Sequence, residues 1–187
     1  MVVVRQQGSI HLVLVGPWTT AGVVTYTADV ELLWIKFRLG AFLPHWPVRA
    51  VLDRETILPG ATRQSFWLQG SAWPYPDYEH ADTFVNRLVQ AEVLVHDPVV
   101  DAMLHGHLPT LAPRTVRQRF ARATGVTHSH IRQVARAQRA AALLQHGTSI
   151  ADAVYALGYY DQPHLNRALK RWIGQTPTEL IRREPAA

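Results

Sequence analysis

The sequence predicts an α+β protein, with a small β-rich N-terminal part followed by an all-α part holding two helix-turn-helix units joined by a long helix. Three observations predict it. Apolar, β-branched runs fill the first 40 residues; the stretch Ser149 to Pro177 reads as helix, tight turn and amphipathic helix; and a second copy of that last helix lies 49 residues earlier in the chain.

Val2–Val4, Ile10–Val15, Val23–Thr27 and Leu32–Phe37 read as strands separated by Gly8-Ser9, Gly16-Pro17 and Ala28-Asp29. In the last of them Trp34, Lys36 and Arg38 alternate with Leu33, Ile35 and Phe37, as in a strand covered on one face. Met1 leads straight into an apolar run, so the sheet is expected to lack strands that a longer chain would carry, leaving a partial, cupin-like barrel. Residues 41 to 80 read as irregular, punctuated by Pro44, Pro47, Pro59, Pro74 and Pro76. Trp46, Phe66, Trp67, Trp73, Tyr75 and Tyr78 are interleaved there. They could line a pocket or stack on bases; the favoured reading makes them the core of the β-rich part, where aromatic rings dominate burial.

Asp82 to Val95 places Phe84, Val85, Leu88 and Val89 at helical spacing, which suits a helix packed on the sheet or a dimer seam. Asp97-Pro98 then starts another helix, an acid at the cap and proline in the first turn, ending near Gly106. The histidine pairs His105/His107 and His128/His130 have no neighbours to complete a metal shell and read as capping or surface residues.

In the last helix Leu165, Leu169 and Trp172 share one side with Ala168, while Pro163, Asn166, Arg167 and Lys170 follow the same rhythm on another. Asp161 is placed to cap it and Gly174 to end it. Ile150, Ala153, Val154 and Leu157 form the buried side of the preceding helix, and Gly158 suits the turn. With an offset of 49, Val116 falls on Leu165, Phe120 on Leu169, Gly125 on Gly174 and Thr127 on Thr176. The exposed positions correspond as well, with Arg114 on Pro163, Arg117 on Asn166, Gln118 on Arg167 and Arg122 on Arg171. A basic surface arising at random would not repeat its buried positions. Between the copies, HSHIRQVARAQRAAALLQHG reads as one long helix closed by Gly147. Two reading helices held on one face would enter successive major-groove segments about 34 Å apart.

Charge follows the same division. The chain of 187 residues carries a net charge of +5 and is 48% hydrophobic. From Ala112 onward 12 Arg or Lys stand against 4 acids, while the first 111 residues hold 7 bases and 10 acids. That asymmetry suggests a polyanion partner for the C-terminal half. The absence of cysteine excludes disulfides, thiolate metal sites and cysteine catalysis. No apolar run reaches the roughly 20 residues of a membrane span, and a secretory leader layout is missing, so a reduced cytoplasmic setting is expected. No Ser-His-Asp or paired-carboxylate constellation stands out in residues 1 to 111, so no enzyme, cofactor or metal is expected.

These residues resemble a known family. The segment from about Ala112 to Arg182, with SIADAVYALGYYDQPHLNRALKRWIGQTPTEL as its signature and Arg139, Ala142, Leu143 and Leu144 in the helix before it, is similar to the DNA-binding domain of AraC/XylS transcription regulators. More weakly, GSIHLVLVGPWT, LLWIKFRLGAFLPHWPV and SFWLQGSAWPYPDYEHADTFVNRL look like a shortened sensor domain of one AraC-like subgroup. The resemblance implies a sensor domain over residues 1–80, a connecting helix over 81–96 and a DNA-binding domain over 97–187. The connection from His105 to Pro113 is longer than the turn at Gly158 and contains Pro109, so the first unit is expected to be degenerate.

A sequence-specific, double-stranded DNA-binding transcription regulator is the resulting expectation. Gln162, Pro163, Asn166 and Arg167 would contact bases in the second unit, Arg167 pairing with guanine and Asn166 or Gln162 with adenine. Arg114, Arg117 and Gln118 take the corresponding places in the first. Lys170, Arg171, Arg122, Thr127 and Thr176 would hold phosphates. A small-molecule effector and a homodimer remain open, and RNA polymerase would be a partner if the protein activates. The alternative is a sensing or interaction module with degenerate, non-specific DNA binding.

Overall fold

The computed structural model describes residues 1–107 and 109–182. Leu108 of the longer connection, and Arg183 and Glu184 of the basic half, lie outside them. The architecture is α+β, sheet-rich at the N-terminus and helical at the C-terminus. Two compact units divide it: one takes Met1–Trp18 and Thr25–Thr127, the other takes Thr19–Val24 and the chain from His128 onward.

In the first unit, β1 (Val2–Gln6) and β2 (Ser9–Val15) form a hairpin closed by Gln7 and Gly8, at φ 49° and 76°, the left-handed pair that a two-residue turn requires. β3 (Val30–Trp34) pairs with β1, and β5 (Glu55–Ile57) with β2, giving the antiparallel order β3-β1-β2-β5. β4 (Ala41–Phe42) pairs with β9 (Val95–His96), and β6 (Gly60–Thr62), β7 (Ser65–Leu68) and β8 (Ser71–Pro74) make a third antiparallel sheet. The supposedly irregular stretch therefore contains a small sheet of its own. Its turn at Gln69-Gly70, with φ 52° and 75°, is a second left-handed pair hidden among the prolines.

Two strand expectations change. Val23–Thr27 is not a strand; Val23 is 93% exposed, and residues 19–24 belong to the helical unit. There the Ala21 N–H donates to the Arg171 carbonyl at 2.8 Å. β propensity without a neighbouring strand to pair with does not make a strand. The Leu32–Phe37 strand stops at Trp34, although Ile35 still donates to the Met1 carbonyl and inward-outward alternation persists through Arg38.

Leu12, Leu14, Ile35, Leu58, Phe66 and Trp73 share one core with Phe84 and Leu88 of helix α1 (Ala81–Gln90), so that helix packs against the sheets. Phe84 meets Phe66 and Trp73 edge-on at 6.2 and 6.3 Å. Of the interleaved aromatics, Phe66 and Trp73 are buried and Trp46 and Tyr75 pack against the core, whereas Trp67 and Tyr78 are exposed. Helices α2 (Pro98–Leu104) and α3 (Pro113–Thr124) complete this unit.

The second unit comprises α4 (His128–Gln145), α5 (Ile150–Ala156), α6 (Gln162–Trp172) and α7 (Pro177–Arg182). The long connecting helix is a single 18-residue element, and Gly147 follows it at φ 86°. Its core joins Ala140, Ala141 and Leu144 to Ala153, Tyr159, Leu165, Leu169 and Leu180. Small alanines on α4 let α6 approach closely. Among the described residues no helix is long and apolar enough to cross a membrane.

Candidate nucleic-acid interface

The α5–α6 pair is fixed by local chemistry at each end. The Ser149 hydroxyl accepts the Asp152 N–H at 3.1 Å to start α5, and Gly158 turns the chain at φ 66°. The Asp161 carboxylate then accepts the His164 N–H at 2.7 Å and starts α6. Leu165 and Leu169 are fully buried, which orients the rest of the helix. Tyr159 fills the corner between α5 and α6, with the Arg136 guanidinium 4.3 Å over its ring. Burial pushes the Tyr159 phenol above its ordinary pKa, partly offset by that cation.

Gln162, Pro163, Arg167, Lys170 and Arg171 are exposed on α6. Arg167 has no carboxylate partner among the described residues. Arg171 lies 4.4 Å over the Trp172 ring, which restrains it. Asn166 differs from expectation: it is half-buried, and its Oδ1 is covered without a hydrogen-bond partner. A bidentate adenine contact needs both ends of the amide, so Asn166 would have to rotate to make one. Tyr160, beside the α6 N-terminus and 92% exposed, was not singled out by pattern, because an isolated tyrosine next to a turn carries no periodic signal.

Helix α3 repeats this arrangement at the predicted offset. Val116 and Phe120 are buried as Leu165 and Leu169 are, and Arg114, Arg117, Gln118 and Arg122 are exposed. Gly125 ends α3 at φ 76° and Gly174 follows α6 at φ 82°. The cap is the difference, since Ala112 stands where Asp161 does and offers no side-chain acceptor. A strut replaces it. Asp97 accepts the Val99 N–H to start α2, and also receives Arg119 through Nε at 3.0 Å and a terminal nitrogen at 2.7 Å. Counted in the sequence as one more surface cation, Arg119 instead braces α2 against α3; its counterpart in the repeat is Ala168, a half-buried position, which was the available clue. Asp97→Ala is expected to destabilise more than Arg119→Met, because it also removes a cap worth about 1 kcal/mol. Additive effects in a double-mutant denaturation cycle would argue against the strut.

The two threonines lie at equivalent places, Thr127 directly before α4 and Thr176 directly before α7. Thr176 is engaged in a capping box: its N–H donates to the Glu179 carboxylate at 2.6 Å and its hydroxyl accepts the Glu179 N–H at 3.3 Å. These bonds hold the Glu179 carboxyl below its usual range and leave the Thr176 hydroxyl proton for another acceptor.

Residues 110–183 match the family model described as a helix-turn-helix domain. This part of the chain is an AraC-type helix-turn-helix domain. The AraC-type segment is 39% identical over 67 residues to the HTH-type transcriptional regulator VirS of Mycobacterium tuberculosis, in the CDC 1551/Oshkosh strain and equally in H37Rv. That stretch is 36% of this chain, and the chain spans only 20% of the relative's length. No solved structure matches significantly. The matched region takes in α3 from the first unit and α4 to α7 of the second.

The first unit also holds an open hollow of about 440 Å³, lined by Leu14, Trp34, Phe37, Leu43, Val51 and Leu94 among others. Its walls are mostly apolar, with Lys36 and Arg38 also among them, and it reaches Ala123 and Thr124 at the end of α3.

Proposed function

We propose that this protein is a sequence-specific, double-stranded DNA-binding transcription regulator that reads bases with α6 and α3. The observation that carries this reading is the exposed cationic face of α6, held by a fully buried Leu165–Leu169 seam within an AraC-type domain. The same buried and exposed positions recur on α3. The relative's description as a transcriptional regulator supports the regulatory role. Arg167, Gln162 and Pro163 are assigned to bases in the second unit, with Asn166 after rotation; Arg114, Arg117 and Gln118 are assigned to bases in the first. Lys170, Arg171, Arg122, Thr127 and Thr176 are assigned to phosphates. The apolar hollow of the first unit suits an apolar small molecule, and the effector role attaches to it.

Selection from random duplexes, followed by anisotropy titrations at several salt concentrations, tests the reading. Enrichment of two short motifs about one helical turn apart is expected; a steep salt dependence without enrichment would reduce the function to non-specific association. In the selected duplex, Arg167→Ala should cost ~1–3 kcal/mol and relax preference at one base pair. Lys170→Ala should weaken all sequences alike and lower the salt slope by about 0.9. Equal weakening of every sequence by both variants would refute the assignment of roles.

A further inference from the structure

The β-rich unit contributes a groove that runs directly off the reading face of α3. Gln118, Ala121 and Arg122 form one side of it, three positions on a single helical stripe. Phe42, Leu43, Pro44, Trp46, Pro47, Val48 and Arg49 form the other, from β4 to the 3-10 turn at Val48–Ala50. The groove measures about 380 Å³, and no acid lines it, while two arginines and a glutamine do. Arg122 is held by the Phe42 ring, its guanidinium carbon 5.7 Å from the ring centroid. Arg49 is exposed on the opposite side. The width is also fixed: Gly125 at the end of α3 approaches the 3-10 turn so closely that a Cβ there would lie 2.9 Å from Val48 Cγ1.

We infer that this groove is a seat for the DNA phosphate backbone, and that Arg49, a residue outside the helix-turn-helix domain, contacts phosphate beside Arg122. The inference rests on the proposed reading of bases by α3. Continuity with Arg114, Arg117 and Gln118 decides the occupant. A duplex whose major groove receives the first turns of α3 carries its sugar-phosphate strand along the later turns, where these two cations line one groove without a neutralising acid. Aromatic and proline side chains make the wall stiff, so little ordering cost is added when a phosphate enters. The contact would be sequence-independent, adding to affinity and orientation and not to base preference.

The test is anisotropy titration of full-length wild type, Arg49→Ala, Arg49→Lys and the control Arg63→Ala on the selected duplex between 50 and 200 mM salt. Arg63 is an exposed arginine at the β6–β7 turn, away from the groove. Loss of one phosphate contact lowers the salt slope by about 0.9, so the affinity ratio of wild type to Arg49→Ala should shrink about 3.5-fold across that range. Arg49→Lys and Arg63→Ala should keep the wild-type slope, with thermal stability and base preference unchanged in all three. A wild-type slope for Arg49→Ala, or an equal change in Arg63→Ala, overturns this inference alone. Failure of wild type to bind duplex DNA overturns it together with the proposed function.

Discussion

Leu169→Ala is expected to unfold the helical unit at temperatures where wild type remains folded, and to abolish DNA binding with it. The side chain is fully buried and meets a core built from α4, α5, α6 and α7. Truncating such a leucine costs about 2–5 kcal/mol, against a typical total stability of 5–15 kcal/mol, and a unit this small sits toward the lower end. The four alanine and leucine positions around it on α4 and α5 cannot close the gap, since Ala140, Ala141 and Ala153 are too short to lean in. Thermal melts followed by circular dichroism check it: the transition of the helical part should fall while that of the β-rich part stays. A melt indistinguishable from wild type would mean that α6 is not seated as described.

Gly16→Ala should do the converse. A Cβ at Gly16 would overlap the Val51 carbonyl, a backbone group that no rotamer change can move aside. The local chain is tied on both sides, by Gly16 N–H to Arg54 at 3.0 Å and by Asp53 N–H to Pro17 at 2.9 Å. The cost should reach or exceed the ~3 kcal/mol upper end of ordinary overpacking. Loss of the near-ultraviolet signal of the buried Trp73, with helical content largely retained, is the expected readout. A soluble, normally melting Gly16→Ala protein would show that the loop after β2 runs elsewhere.

The helices were legible because their signals are local. Capping residues, end glycines and the 3.6-residue rhythm of Leu165 and Leu169 act over a few positions, and the repeat of Val116 and Phe120 supplied an internal check. Arg119 was not legible as a strut, since its partner Asp97 lies 22 residues away and the sequence shows only another cation. Asn166 was read as outward because its rhythm matches Pro163 and Lys170, yet it sits at the edge of the stripe, where burial begins. The β-rich part was legible in kind and less so in detail. Short strands such as Gly60–Thr62 depend on partners elsewhere, and Val23–Thr27 has strand-forming residues but no partner strand.

The excursion of Thr19–Val24 has one more consequence. The chain passes between its two units three times, at Trp18–Thr19, Val24–Thr25 and Thr127–His128. The helical unit therefore includes a short segment from near the N-terminus, in which Ala21 satisfies the Arg171 carbonyl and rests 3.2 Å from the Cβ position of Gly174. Cutting the gene at residue 112 keeps α3 to α7 but drops that segment. The last turn of α6 would then lose the donor that Ala21 supplies to the Arg171 carbonyl, so the helical unit is not encoded by one contiguous stretch of sequence.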